Sequence, residues 1–228
     1  MPAAAPIGAH DGRRTYGQAC PIAHALDLIG ERWALLVVRE LRLGPRRYAD
    51  IQAALPGLGP SVLAQRLRDL EAVGVLRRRV LPPPASAKVY ELTEWGAELE
   101  PVFAALRVWG MRSPVVPLRG DVGSDTVLLG LRAYFVARPR APWTAAYRID
   151  LGRETYRVVV VDGELVTVAR GEDPTAPAPD VHVVAETATL QSVLTGKVPL
   201  ASALADAGLT VTGDTAALER LVEALPAR

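Results

Sequence analysis

The chain has 228 residues and is poor in several residue types, and each shortage removes an explanation. One cysteine, Cys20, excludes an intrachain disulfide. Three histidines, His10, His24 and His182, lie too far apart in sequence to suggest a metal site, so no metal is expected. Lysine is almost missing: Lys88 and Lys197 are the only two, and positive charge is carried by arginine. There is no phosphate-binding glycine loop, no zinc helix motif and no serine elbow, so neither an enzyme nor a cofactor is expected. No apolar run approaches the roughly 20 residues that cross a bilayer. The first residues lack the basic start and apolar stretch of a secretory leader, so a cytoplasmic protein with no membrane partner is expected.

What is present is an apolar core and an uneven charge distribution. Half the residues are apolar and 22% are charged, the composition of a globular protein. The net charge of +1 hides an asymmetry. Residues 1–119 hold 16 basic and 11 acidic residues, net +5, while residues 120–228 hold 10 and 14, net −4. Within residues 42–88 the count is 9 basic against 3 acidic. One half is thus suited to a polyanion and the other is not. The segment SPVVPLRGDVGSD, with two prolines and two glycines and no helical period, reads as a boundary. The expected organisation is a flexible segment 1–19, a first domain 20–112, a linker 113–124 and a second domain 125–228.

The first domain reads as mostly helical. Ile22, Leu26 and Ile29 share helical spacing, and Gly30 can end that helix. Trp33, Leu36, Val37, Glu40 and Leu41 sample successive turns of a buried helix, and Tyr48, Ile51 and Leu55 form a third stripe that Pro56-Gly57 ends. In GPSVLAQRLRDLEAVG, Pro60 suits a first helical position, Leu63, Leu67 and Leu70 form a seam, and Gly74 is a C-cap. VLRRRVL and KVYELT read as strands joined by the loop PPPASA. One long helix is expected to begin at the N-cap Thr93 and to carry Trp95, Leu99, Val102, Phe103, Leu106 and Trp109 on one apolar face. Helix, turn, helix, hairpin is a winged helix-turn-helix order.

A recognition helix needs one face packed on its domain and another that enters the major groove. The leucine seam leaves Ser61, Gln65 and Arg68 facing away, with Arg66 nearer the edge. Arg can pair with guanine, Gln with adenine, and Ser with bases or phosphates. Pro60 and Ser61 stand at a helix N-terminus that favours phosphate. Arg46 and Arg47, before the preceding helix, are expected backbone clamps, and Arg77, Arg79 and Lys88 flank the wing. Alternation along a strand puts Arg77 and Arg79 on one face and Arg78 on the other, with at least one expected to pair with an acid such as Asp69 or Glu91. The partner these residues imply is double-stranded DNA. The competing reading keeps the winged helix for protein contacts alone, in a small-molecule binding or carrier protein.

The motifs CP before the first helix, LIGERW, GPRRYADI, LAQRLRDLE, GVLRR and YELTEWG run in order over residues 20–110 and resemble the HxlR family of bacterial transcription factors, which is MarR-like. The resemblance implies a transcriptional regulator, a repressor acting as a homodimer on a pseudo-palindromic operator. Dimer contacts would come from the N-terminal helix and from Leu99, Val102, Phe103, Leu106 and Trp109. Cys20 stands where many members carry a cysteine, and it is either a redox sensor or a small buried residue at a helix start.

The second domain reads as α+β with a mainly antiparallel sheet, and Asp162-Gly163 between two apolar runs signals a hairpin. DGELVTVARG through TGKVPLASALADAGLTVTGDTAALERLVEAL resembles sterol carrier protein-like domains, which enclose apolar molecules. That resemblance implies a hydrophobic small-molecule effector, or else a purely dimerising element. Leu131, Tyr134, Phe135, Trp143, Tyr147, Tyr156, Leu190 and Leu194 are the residues that either line a pocket or fill the core.

Overall fold

The computed structural model describes residues 15–82, 86–115, 120, 122–137, 141–173, 175–206 and 208–226. The start of the expected N-terminal segment, the tip of PPPASA and parts of the expected linker fall outside these residues. The chain forms two compact units that divide between Ala105 and Leu106.

The first unit begins with α1 (Pro21–Ile29), α2 (Ala34–Leu41), α3 (Tyr48–Ala54) and α4 (Pro60–Ala72). Its core is built from Val37, Val38 and Leu41 of α2, Ile51 of α3, and the seam Leu63, Leu67 and Leu70 of α4, all fully buried. α2 starts one residue after Trp33, which sits at a left-handed φ of 78°. α4 opens on Pro60 at its first position, and Gly74, at φ 76°, reverses the chain after it. β1 (Leu76–Val80) and β2 (Lys88–Leu92) follow as an antiparallel hairpin.

The long helix expected after Thr93 is broken into α5 (Glu94–Ala97) and α6 (Glu100–Met111). Thr93 is the N-cap, accepting a 3.0 Å hydrogen bond from Gly96 N. Pro101, the second residue of α6, has no N–H to donate and its ring excludes the Ala97 carbonyl, so one helix cannot run on from Glu94. Gly96 lies so close to the Val75 carbonyl that a Cβ there would stand 1.9 Å from its oxygen, so the first turn is pinned to the wing. After the break, Leu99 and Phe103 turn inward and pack against the helical core. Val102, Leu106 and Trp109 remain exposed, Trp109 by 77%.

The second unit contains α7 (Ser124–Tyr134), β3 (Ala145–Leu151), β4 (Glu154–Val161), β5 (Glu164–Arg170), β6 (Val181–Ala185), α8 (Thr187–Leu194), α9 (Leu200–Ala205), β7 (Leu209–Gly213) and α10 (Thr215–Glu223). The sheet runs β5-β4-β3-β6-β7, antiparallel except for β3 with β6. The α+β reading with a mainly antiparallel sheet therefore holds. Asp162 (φ 51°) and Gly163 (φ 79°) both take positive φ at the β4–β5 turn, as a two-residue type I′ hairpin requires. Period-two alternation puts Ala145, Tyr147, Ile149 and Leu151 of β3 on the buried face. Leu128 and Leu131 of α7, Leu190 of α8 and Leu218 of α10 complete that core. Among the described residues no helix is long and apolar enough to cross a membrane.

Candidate nucleic-acid interface

α4 is held at its start by α3. The Tyr48 hydroxyl donates to the Pro60 carbonyl at 2.8 Å, and Gln52 donates to the Leu58 carbonyl, so α3 fixes where α4 begins. With the leucine seam buried, Ser61, Gln65 and Arg68 are exposed. Arg68 donates to the Gln65 amide oxygen at 2.7 Å, and Gln65 donates to Asp69 at 2.7 Å. Both side chains are thus presented together on the outer face, and Arg68 has no acidic partner among the described residues. Arg66 is placed differently. It turns into a cleft of about 190 Å³ lined by Asp27, Leu28, Glu31, Ala34, Asp69 and Leu70, and pairs with Glu31 at 3.3 Å and Asp69 at 3.4 Å.

The hairpin register places Arg77 opposite Glu91, Arg78 opposite Tyr90 and Val80 opposite Lys88. Arg77 (2.7 Å) and Arg79 (3.0 Å) share the single carboxylate of Glu91, so their face keeps an excess positive charge. Arg78, on the other face, pairs with Glu71 at 2.6 Å and lies 5.8 Å from the centre of the Tyr90 ring. The Glu71 hydrogen bond is the main reason its guanidinium is held above the ordinary arginine range. Lys88 and Arg47 are exposed, and neither has an acidic partner among the described residues.

Arg46 corrects the sequence expectation. It is 6% exposed and its guanidinium bonds the carboxylate of Glu40, itself 3% exposed. Its backbone pairs with Tyr90 in both directions, Arg46 N to Tyr90 O at 2.9 Å and Tyr90 N to Arg46 O at 2.8 Å. Arg46 therefore extends the wing sheet by one residue and points its side chain inward. It is a strut under the wing, and Arg47 is the exposed member of the pair. The sequence carried one signal for this: an apolar helix with a glutamate, Glu40, that needed a buried counter-charge.

Cys20 is the half-buried N-cap residue of α1, ahead of the exposed Ile22 and Leu26. In the second unit, Tyr147, Tyr156, Leu131 and Leu190 are fully buried, and Trp143 nearly so. Tyr147 donates to the Ala217 carbonyl at 2.8 Å and accepts from the Trp143 indole at 2.9 Å. Burial pushes its phenol up to about 12, partly offset by the Trp143 hydrogen bond. Tyr156 bonds Ser124 and Asp125, both at 2.7 Å, and Arg170 closes on the buried Asp125. These side chains are core. Phe135 stacks at 6.0 Å from Trp143, and Tyr134 lies under Arg107, 4.3 Å from ring centre to guanidinium. Leu194 alone of the eight lines an open groove of about 330 Å³, with Val193, Gly196, Val222, Glu223, Leu225 and Pro226. No group of three or more His, Cys, Asp or Glu placed to hold a metal occurs among the described residues.

Known proteins also match the chain in two separate parts. Residues 28–114 match the HxlR-like helix-turn-helix family, and residues 143–227 match the alkyl sulfatase C-terminal family. The chain is 42% identical over 94 residues to sll1512, an uncharacterized helix-turn-helix transcriptional regulator of Synechocystis, a match covering 41% of this chain and 70% of that one. It is 38% identical over 93 residues to the regulator YvaP of Bacillus subtilis, covering 40% and 86%. It is 36% identical over 91 residues to the transcriptional regulator YodB of Bacillus subtilis, covering 40% and 81%.

Proposed function

Because the chain belongs to the HxlR-like helix-turn-helix family and is a winged-helix DNA-binding regulator, we propose that α4 reads the operator through Gln65 and Arg68 while Ser61, Arg47, Lys88 and the Arg77/Arg79 face hold the phosphate backbone. The observation that carries this is the outward face of α4: its leucines are buried, its polar side chains are exposed, and Arg68 keeps its charge uncompensated. Pro60 sets the helix entry, and Arg66 serves the unit's interior cleft more than the duplex.

The active form is a homodimer. The exposed Ile22 and Leu26 of α1 and Val102, Leu106 and Trp109 of α6 support this, since apolar side chains of this size are costly to leave in water. A two-fold dimer reads half-sites about one duplex turn, roughly 34 Å, apart. The second unit takes a hydrophobic effector in the manner of sterol carrier protein-like domains, and the groove at Leu194 is the opening that supports this. Effector binding changes DNA affinity only as far as it distinguishes two states of the dimer. Oxidation of Cys20 is a second input to the same switch.

The test is fluorescence anisotropy of a labelled operator duplex across a salt series. A phosphate-neutralising interface loses affinity steeply as salt rises. Absence of duplex binding even at low salt refutes the proposal.

A further inference from the structure

The sheet of the second unit has a face turned away from its helices, and that face carries an unusual row. The register puts Arg148 of β3 directly opposite Arg157 of β4 on one side and opposite His182 of β6 on the other. Three basic side chains therefore stand side by side on three adjacent strands, with opposed Cβ atoms about 4.5–5.5 Å apart. The two guanidiniums so placed are like charges that oppose sheet pairing, and a purely structural solution would alternate signs across the strands. Here one in-sheet acid, Asp150, serves two of the three. It accepts from Arg148 at 3.0 Å, contacts His182 at 2.7 Å, and accepts from Thr155 at 2.7 Å.

The remaining negative charge comes from outside the sheet. The segment between β5 and β6 supplies Glu172 to Arg148 and Asp173 to Arg157, the latter at 3.5 Å. Thr175 donates to Asp173 through both its backbone N–H (3.0 Å) and its hydroxyl (2.6 Å), presenting the carboxylate in a fixed pose. Exposed ion pairs of this kind contribute little to stability and are screened by salt. The two loop carboxylates are therefore displaceable, and what they cover is a pair of adjacent guanidiniums with an imidazole beside them. Arginine pairs recognise oxyanions by bidentate hydrogen bonds.

We infer that Arg157, Arg148 and His182 form a binding site for a small-molecule oxyanion, a phosphate or sulfate group, which Glu172 and Asp173 occupy until the ligand displaces them. The site lies on the open sheet face, apart from the groove at Leu194, so it stands or falls independently of the apolar effector and of operator binding.

The experiment titrates the full chain with inorganic phosphate, and separately with sulfate, at ionic strength held constant with chloride. The His182 imidazole resonances report occupancy. A saturable shift is expected in the wild type, tightened roughly tenfold in E172Q/D173N as the competing carboxylates are removed. It is expected to vanish in R148Q/R157Q. A response that chloride alone reproduces, an unchanged affinity in E172Q/D173N, or no saturation in any variant overturns the site. Because Arg148 also holds Asp150, the loop variant carries the test by itself if R148Q/R157Q fails to fold. If R148Q/R157Q weakens operator affinity as it weakens phosphate binding, the row belongs to DNA and the inference is wrong.

Discussion

Arg46→Ala separates a strut from a clamp. The guanidinium of Arg46 and the carboxylate of Glu40 are both almost fully removed from solvent. Deleting one member of a buried ion pair strands the other, a loss of about 3–5 kcal/mol. Arg39, which is partly exposed, still donates to Glu40 at 2.9 and 2.7 Å, and this softens the loss toward the lower figure. The bridge to Tyr90 is made by main chain and survives the substitution. With about 4–8 °C of melting temperature per kcal/mol for a unit of 60–100 residues, the first unit should melt on the order of 10–20 °C lower. The assay is thermal unfolding followed by circular dichroism, at fixed protein concentration because the proposed dimer would make the midpoint depend on concentration. Arg47→Ala is the companion. It should leave the melting temperature within about 2 °C, since its side chain is exposed, and should weaken operator binding on every sequence. Arg46 is the clamp and not the strut if Arg46→Ala melts with the wild type and loses affinity for all duplexes alike.

Arg68→Ala should cost roughly 1–3 kcal/mol on the operator and much less on a scrambled duplex, measured as the ratio of the two affinities. Gly96→Ala should destabilise the first unit by about 1–3 kcal/mol in urea unfolding, because the new methyl meets the fixed carbonyl of Val75. A wild-type midpoint would mean that α5 is free to shift. Tyr147 gives a pH prediction. Its folded pKa of about 12 lies above the unfolded value of about 10, so its contribution is complete below pH 10 and is lost as pH rises toward 12. The alkaline loss of stability should be smaller in Tyr147→Phe, and in the wild type this tyrosine should ionise only toward pH 12 or on unfolding.

The local periodicities were legible because each is a property of neighbouring residues. The α4 seam, the opening at Pro60, the cap at Thr93 and the Asp162-Gly163 hairpin each follow from spacing or from the φ a residue tolerates. Strand alternation likewise separates Arg77 and Arg79 from Arg78 without reference to anything distant. The broken helix after Thr93 has a local sign as well: Pro101 lacks an N–H and its ring excludes the Ala97 carbonyl, so a helix begun at Glu94 cannot run through it. What no local pattern records is the close approach of Gly96 to the Val75 carbonyl.

Charge partners divide in the same way. Sequence determined how many arginines cluster in residues 42–88 and which of them alternate, since that is composition and period. Only the tertiary structure decided what each arginine does. Arg46 and Arg47 are adjacent and chemically identical, yet one is locked against Glu40 and the other faces water. Arg148, Arg157 and His182 are spread over 35 positions and become neighbours only when β3 takes β4 on one side and β6 on the other. The physical reason is that a charge is governed by what lies within a few ångströms and by how much water remains, and both are fixed by chain crossings that no local pattern records.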